Sequence, residues 1–247
     1  MKQKQLIAEN IRNHCKMCGS SEVEFLDVIQ DFVFKQCRKC AFVFTPDVTP
    51  EYLKDLYAAG YHGPEDGAPK KGWAKDISFL EPALGLLPFK NLNILNFGAG
   101  QDLTSDELRK SGHKVTAVDI APPIRPHPDR LTGDILELNL KAEQFDLVYA
   151  FQVFEHLSHP NPILEELLRL LKREGLLLIH TDMETEARLE NEFRDWWYVA
   201  PPDHCSFFRP QTFEMALRNT GSELIVSEPT FVVIKKQRGS LEGDSTE

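Results

Sequence analysis

The sequence predicts an α/β fold in which a mostly parallel sheet is covered by helices on both faces. Short apolar runs alternate with helical segments from residue 73 onwards, and strands that alternate with helices form parallel sheets. A glycine turn, Gly98-Ala99-Gly100, joins one apolar run to a helix, which is the strand, turn and helix of a Rossmann-like domain. Two Cys-x-x-Cys pairs near the N-terminus indicate a separate small module.

Composition narrows the class of protein further. The chain has 247 residues, enough for one such domain and a small attachment. The formal net charge of −10 argues against a broad nucleic-acid-binding surface, so nucleic acid is an unlikely partner. We find no apolar run long enough to span a membrane and no signal peptide. We therefore expect a cytoplasmic protein without a membrane partner, and its oligomeric state stays open.

The N-terminal module is predicted to span residues 12–48 and to bind zinc. Cys15 and Cys18 are separated from Cys37 and Cys40 by an 18-residue gap, a spacing typical of zinc ribbons. Four thiolates close the coordination sphere, so the Zn²⁺ is expected to be structural. Free thiols or a redox pair are the alternative. The residues between and after the pairs alternate like three short strands.

Residues 49–72 are expected to contain a helix followed by a loop. The loop, residues 60–72, is rich in glycine and proline, and it is either a lid over a ligand site or a linker. The main domain is expected over residues 73–236, with a disordered tail at 237–247.

Within the main domain, strands and helices are predicted in alternation. Strands are expected at 93–97, 115–119, 144–151 and 176–179, with a terminal hairpin at 223–226 and 230–235. Helices are expected at 73–87, 102–110, from 161 to Gly175, at 186–198 and at 210–220.

The glycine turn is expected to bind a nucleotide-like ligand. A dinucleotide fingerprint would need a third glycine where Leu103 stands, and a phosphate loop would need Gly-Lys-Ser/Thr. The pattern that is present is a Gly-x-Gly turn, Gly98 to Gly100, after a strand. Asp119 stands at the end of the next strand, about 20 residues further on. This is the spacing at which a carboxylate reaches ribose hydroxyls.

Several motifs together resemble one family. They are C-x-x-C…C-x-x-C-A-F-V-F, N-F-G-A-G, V-T-A-V-D, G-D-I and F-D-L-V-Y-A-F-Q-V-F-E-H-L-S-H-P. The chain resembles the class I S-adenosylmethionine-dependent methyltransferases, and more narrowly a bacterial branch with an N-terminal four-cysteine zinc module. The resemblance covers about residues 15–235. It implies S-adenosyl-L-methionine as cofactor, and a small-molecule acceptor such as a sugar or biosynthetic intermediate, methylated on oxygen or carbon.

The resemblance also implies which residues contact the cofactor. Gly98 and Gly100 would pack under its methionine and ribose, Asp119 would bind the ribose hydroxyls, and Asp134 would contact the adenine amino group. Ile120 and Ile135 would flank the adenine ring. The remaining expected contacts are Asn96, Phe97, Ala99, Phe151, Gln152 and His156.

Two positions depart from the family pattern. Asn96 stands where the family usually has an acid, and Asp102 stands where it often has a third glycine. A non-catalytic zinc-ribbon adaptor is therefore one alternative function. Methylation of RNA is another, because some RNA methyltransferases carry four-cysteine modules; the basic residues that favour it are Lys35, Arg38, Lys39, Lys70 and Lys71.

Two histidines are the candidates for catalysis. Imidazole is the commonest general base, and His156 is predicted at the carboxyl end of a parallel strand, where such sheets bind ligands. The other reading of His156 is a helix-start residue that packs beside Glu155. His204 lies in P-P-D-H-C-S-F-F, which resembles a stretch that faces the acceptor in this branch. It is either a second catalytic residue, with Asp203 to orient it, or a surface-loop histidine.

Overall fold

Two β-sheets organise the chain. The computed structural model describes residues 14–58, 77–87, 90–100, 103–122, 127–184 and 193–237. The strands are β1 (Val23–Ile29), β2 (Phe32–Cys37), β3 (Val43–Phe44), β4 (Asn93–Phe97), β5 (Lys114–Asp119), β6 (Arg130–Thr132), β7 (Phe145–Phe151), β8 (Leu171–His180), β9 (Ser206–Phe207), β10 (Ser222–Glu228) and β11 (Phe231–Lys236). The helices are α1 (Pro50–Ala58), α2 (Glu81–Leu84), α3 (Leu103–Lys110), α4 (Pro160–Leu170) and α5 (Pro210–Ala216), with short 3-10 turns at Ser78–Leu80 and Phe154–His156.

The larger sheet has seven strands in the order β10-β11-β8-β7-β4-β5-β6. Strands β8, β7, β4, β5 and β6 are parallel, whereas β11 runs antiparallel to β8 and pairs with β10. The order reverses beside β4, which lies between β5 and β7, with Asn96 opposite Ala117 and Tyr149. Ligands of open α/β sheets bind at such a reversal, beyond the carboxyl ends of the strands.

Each face of this sheet packs against its own hydrophobic core. Alternate residues of a strand point to opposite faces, so Leu95 and Phe97 join the core with α4 and α5, whereas Ile94 joins the core with α2 and α3. The predicted Rossmann-like sheet, with helices on both faces, is confirmed. The terminal hairpin is also confirmed, as β10 and β11.

The smaller sheet, β1-β2-β3-β9, contains the cysteine module. Its first three strands agree with the predicted ribbon. Its fourth strand, β9, comes from more than 160 residues further along the chain, with Val43 paired to Phe207 and Phe44 to Ser206. The sheet therefore joins the ribbon to the main domain through backbone hydrogen bonds, a connection that the separate ranges 12–48 and 73–236 did not anticipate.

Two predicted helices are wrong in extent. The helix expected to continue to Gly175 ends at Leu170, and β8 begins at once with Leu171, which pairs with Phe145. Leu171 is fully buried in an extended conformation, so strand pairing overrides the helical spacing of the leucines. Residues 193–198, expected as the end of a helix, form turns. The expected lid at 60–72, and the tail beyond Gln237, lie outside the described residues.

Candidate functional site

The turn after β4 brings the backbone close to the side chain of Val153. Gly98 has φ +73°, and a Cβ there would lie 2.3 Å from Val153 Cγ2, so only glycine fits. The amides of Gly98 and Ala99 both donate to the Val118 carbonyl, at 2.9 and 3.0 Å. Gly100 has φ +51°, and a Cβ there would meet no atom within 4 Å in the part of the chain that the structure describes. The turn thus leaves open space beside Gly100 at the edge of the sheet.

Asp119 lies directly beside this turn, as predicted for a ribose-binding carboxylate. Its Oδ2 accepts a hydrogen bond from the Gly100 amide at 2.7 Å, and its Oδ1 accepts one from the Ala121 amide at 2.8 Å. Arg130, which the sequence analysis missed, donates from Nη1 to the Gly100 carbonyl at 2.6 Å and has Nη2 4.0 Å from Asp119 Oδ2. The buried guanidinium therefore fixes the glycine turn and the carboxylate together. A lone arginine at the start of the three-residue strand β6 gave no signal of this role.

The other expected cofactor residues differ in exposure. Ile120 is 52% exposed beside Asp119, whereas Ile135 is 2% exposed and packs in the core. Asp134 Oδ1 accepts a hydrogen bond from the Leu136 amide at 2.9 Å. Asn96 is buried and donates from Nδ2 to Ser105 Oγ at 3.0 Å. Its side chain therefore binds the start of α3, and Phe97 is buried next to it.

The carboxyl end of β7 carries a strained residue and an aromatic group. Gln152 follows the strand with φ +52°, an unusual conformation for a residue with a side chain. Its Nε2 donates to His180 Nδ1 at 3.0 Å, and its Oε1 accepts from the Tyr198 hydroxyl at 3.2 Å. Phe151 stacks against His180, with ring centroids 4.5 Å apart. The ends of β7 and β8 therefore share one polar and aromatic cluster.

His156 and His204, the two candidates for catalysis, lie together in the structure. Their ring centroids are 4.7 Å apart, with the rings nearly perpendicular. Asp203 was expected to orient its neighbour His204, but it accepts a hydrogen bond from His156 Nδ1 at 2.8 Å instead. His204 Nδ1 donates to the Tyr198 carbonyl at 2.6 Å. Asp203 is the last residue of the turn at 201–203, and its carboxylate faces His156 rather than its neighbour His204.

Glu155 lies beside the histidine pair. It is fully buried, and the hydroxyls of Tyr198 and Thr181 lie near its carboxylate. Its Oε1 lies 3.9 Å from His156 Nε2. Burial raises the pKa of the Glu155 carboxyl, although the His156 charge and nearby hydroxyls partly offset this. Burial alone would lower the pKa of His156, but the Asp203 hydrogen bond and the Glu155 charge outweigh it and raise that pKa.

The four cysteines of the ribbon form one compact cluster. Cys15 Sγ lies 3.5 Å from Cys40 Sγ, and Cys18 Sγ lies 3.7 Å from Cys37 Sγ. Tetrahedral zinc with Zn–S bonds of about 2.3 Å needs sulfur atoms about 3.8 Å apart, so the four thiols fit the metal. Hydrogen bonds among them hold the pKa of Cys37 well below its usual range and raise those of Cys15 and Cys40.

Strand β9 connects this ribbon to the histidine pair. The Cys205 carbonyl, directly after His204, accepts a hydrogen bond from the Thr45 amide at 3.1 Å. The Cys205 amide donates to the Glu155 carbonyl at 2.8 Å, and Ser206 Oγ donates to the Leu157 carbonyl at 2.6 Å. The segment that carries His204 is therefore held between the ribbon and the end of β7.

The aromatic run Trp196-Trp197-Tyr198 divides between core and surface. Trp196 and Tyr198 are buried, whereas Trp197 is 77% exposed. The Cys205 thiol is fully buried, and burial raises its pKa to about 12. Cys205 is therefore unsuited to act as a nucleophile, because the thiolate is the reactive form.

This strand order, glycine turn and acidic strand end define a class I methyltransferase fold, and comparison with known proteins agrees. The methyltransferase domain family matches residues 68–227. Because the match spans more than half of the chain, the protein belongs to this family. In the described part of the chain, no helix has the length and hydropathy needed to cross a membrane.

Particular relatives are ubiquinone biosynthesis O-methyltransferases. The one from Bartonella tribocorum is 28% identical over 116 residues, which cover 42% of this chain and 47% of the relative. The one from Xanthomonas euvesicatoria pv. vesicatoria is 28% identical over 179 residues, which cover 64% of this chain and 74% of the relative. The match to the first of these thus spans about half of that relative's length.

Two solved structures share the fold. The 1,6-didemethyltoxoflavin-N1-methyltransferase of Burkholderia thailandensis, solved with 1,6-didemethyltoxoflavin and S-adenosylhomocysteine, has a TM-score of 0.54 and 18% identity; the alignment covers 87% of this chain and all of that one. An S-adenosylmethionine-dependent methyltransferase from Mesorhizobium loti has a TM-score of 0.51 and 16% identity, covering 66% of this chain and all of that one.

Proposed function

We propose that the protein transfers a methyl group from S-adenosylmethionine to a small-molecule acceptor. The observation that carries the proposal is the open turn at Gly100 hydrogen-bonded to Asp119, at the strand-order reversal of a chain in the methyltransferase domain family. A carboxylate and a bare backbone at this point match a ribose and the groups attached to it.

The cofactor is proposed to lie across the carboxyl ends of β4 and β5. Asp119 accepts hydrogen bonds from the ribose hydroxyls, using lone pairs that the Gly100 and Ala121 amides leave available. The exposed side chain of Ile120 covers one face of the adenine, and Asp134 accepts from its amino group. Phe151 and Gln152, at the end of β7, border the sulfonium end.

The acceptor is proposed to bind beside His156 and His204, at the ends of β7 and β8. Two observations favour a small molecule: the net charge of −10, and the names of the ubiquinone O-methyltransferase relatives and the toxoflavin-type structural neighbour. The exposed Trp197 ring, in contact with Tyr198, offers a flat surface for a planar or sugar-like acceptor.

His156 is the proposed general base. Its Nδ1 is fixed by Asp203, which leaves the Nε2 lone pair to take the proton of an acceptor hydroxyl. The acceptor oxygen then forms a bond to the methyl carbon, the carbon–sulfur bond breaks, and neutral S-adenosylhomocysteine leaves. The protein mainly aligns the two reactants and excludes water. His204 is proposed to contact the same acceptor group.

The ribbon is proposed to hold one structural Zn²⁺ on Cys15, Cys18, Cys37 and Cys40. The short sulfur–sulfur distances support it. A zinc ion with four thiolates has no position for substrate. Its role is to stabilise the ribbon that supports β9 and the His204 segment.

Isothermal titration with S-adenosylhomocysteine tests the cofactor site. Asp119→Asn keeps the shape but removes the charge, and charge-assisted hydrogen bonds contribute about 1.5–3 kcal/mol. We expect a Kd about 10- to 100-fold weaker than that of the wild type. Asp129→Asn, at an exposed aspartate before β6, is the matched control and should leave the Kd unchanged. Equal binding by both variants, or no binding by the wild type, would contradict the proposal.

A further inference from the structure

We propose that Arg130 is a positioning residue for the cofactor's ribose. It fixes the Asp119 carboxylate, and the backbone on either side of that carboxylate, in the arrangement that the two ribose hydroxyls require. This inference rests on the proposed function. Arg130 begins the edge strand β6 and lies outside every motif that predicted the site. Its role is to act through Asp119 and not on the reacting atoms.

The register of the sheet brings the Arg130 side chain to this place. In the parallel pair of β5 and β6, Arg130 lies opposite Ala117, and Thr132 lies opposite Asp119. Paired residues, and residues two apart on one strand, point to the same face of a sheet. Arg130, Ala117 and Asp119 therefore share a face. The fully buried Ala117 has only a methyl group, so the long arginine side chain can extend past it towards the carboxyl end of β5.

Asp119 and Arg130 hold the same two backbone segments. The amides of Gly100 and Ala121 donate to Asp119, at 2.7 Å to Oδ2 and at 2.8 Å to Oδ1. The carbonyls of the same two residues accept hydrogen bonds from Arg130, at 2.6 Å from Nη1 and at 3.4 Å from Nη2. Gly100 and Ala121 thus each have their amide fixed by the carboxylate and their carbonyl fixed by the guanidinium.

Burial of the guanidinium keeps it in this position. Only 2% of the Arg130 side chain and 15% of the Asp119 side chain are exposed, and Nη2 lies 4.0 Å from Oδ2. A buried cation needs a nearby opposite charge and hydrogen-bond acceptors. Asp119 provides the charge, and the turns after β4 and β5 provide the acceptors. The arginine is therefore anchored by the same groups that border the proposed cofactor site.

The ribose hydroxyls need the Asp119 carboxylate in one orientation. An ionised carboxylate has about four lone-pair positions, and the two amides use one on each oxygen. Each oxygen keeps a position for one ribose hydroxyl, provided that the carboxylate and its two amide donors do not rotate. Arg130 prevents that rotation because it holds the carbonyls of both donor residues. A binding group that is fixed in advance loses less entropy when the ligand arrives.

The two contacts of Arg130 also explain why this position needs arginine. A planar guanidinium has two Nη groups that can reach two carbonyls at once, whereas lysine has a single ammonium nitrogen on a flexible chain. We therefore expect lysine at position 130 to keep the charge but to hold only one of the two segments.

Calorimetric titration of the zinc-loaded, full-length protein with two ligands tests the role of Arg130. The ligands are S-adenosylhomocysteine and its analogue without the 2′- and 3′-hydroxyls, and the ratio of their Kd values measures how far binding depends on the hydroxyls. We expect the wild type to bind the analogue about 10- to 100-fold more weakly. Arg130→Met should weaken S-adenosylhomocysteine binding about tenfold but analogue binding no more than about threefold, so the ratio falls. An arginine with a merely structural role would weaken both ligands equally.

Arg109→Met is the matched control. Arg109 is also largely buried, with 16% of its side chain exposed, and it donates to the Val115 carbonyl at 3.1 Å near the opposite end of β5. Its loss should lower the Tm and leave the ratio unchanged. Arg130→Lys should give a ratio between those of the wild type and Arg130→Met. Circular dichroism shows whether Arg130→Met folds, and Arg130→Lys decides if it does not.

Three results would overturn the proposal. They are Arg130 variants that keep the wild-type ratio, an equal fall of the ratio in Arg109→Met, and a wild-type ratio near one. In each of these cases binding of S-adenosylhomocysteine by the wild type leaves the methyltransferase proposal in place. Wild-type protein that binds neither ligand would instead remove the cofactor site, and both proposals with it.

Discussion

Gly98 and Gly100 have different structural roles although they are two residues apart. At Gly98 a side chain would collide with Val153, so the glycine is required by the fold itself. At Gly100 the space is open, and the carbonyl and amide are held by Arg130 and Asp119. The residue that the fold leaves uncovered is therefore Gly100, and we expect the cofactor to contact it.

Gly100→Ala tests this role. Alanine there meets no atom of the described residues, so its expected cost to folding is the strain of a positive φ, about 1 kcal/mol. Gly221→Ala is a matched control, because Gly221 has φ +66° and equally open surroundings in the turn before β10. We expect similar losses of stability but about tenfold weaker binding of S-adenosylmethionine for Gly100→Ala alone, measured by calorimetry. Unchanged binding would place the cofactor elsewhere.

Sequence reasoning was most successful for residue types that have few structural uses, such as the glycines of a tight turn. The glycine turn and Asp119 are adjacent in the structure, and His156 and His204 meet although they are far apart in the chain. Arg130 and the partner choice of Asp203 were missed, because each depends on the tertiary packing of segments distant in sequence. Which atoms contact the cofactor and the acceptor stays a prediction.

Strand β9 is the element on which the site's organisation depends. It contains two residues, yet it is the fourth strand of the ribbon sheet, and His204 lies in the segment just before it. The Thr212 hydroxyl adds a further link by donating to the Cys40 carbonyl at 2.8 Å. A strand this short has no periodicity, so the sequence predicted the ribbon but not its attachment. The helix expected to reach Gly175 failed for a related reason, since pairing with β7 overrides local spacing.

Cys37→Ser tests whether the ribbon is held by metal. Loss of one thiolate should release the zinc and weaken the sheet that supports β9, because structural zinc contributes folding free energy. We expect the Tm to fall by on the order of 10 °C, equivalent to a few kcal/mol in a chain of this size. Zinc content by mass spectrometry and a thermal melt give the readout.

The control for that variant is Cys205→Ala, which removes a buried thiol that is not in the cluster. It should keep its zinc and lose only about 1 kcal/mol, as expected for a small cavity. If the wild type carried no zinc and Cys37→Ser kept the wild-type Tm, the cluster would be a set of free thiols.

At the scale of the whole molecule, the mostly parallel sheet with helices on both faces was the most predictable property. Alternating strands and helices specify a parallel sheet, and the structure places the glycine turn and Asp119 on adjacent strands at its reversal point. The described residues also show that the ribbon and the main domain share a sheet, which no composition or spacing indicates. Cytoplasmic location, and the exclusion of nucleic acid as a partner, stay predictions from charge and composition.

A crystal structure of the zinc-loaded protein grown with S-adenosylhomocysteine tests the central claim most directly. We predict that the ribose hydroxyls lie within hydrogen-bonding distance of the Asp119 carboxylate, with the ligand against the backbone at Gly100 and its sulfur directed towards His156. A structure in which the protein's own side chains fill the space beside Gly100, and no ligand binds there, would contradict the account.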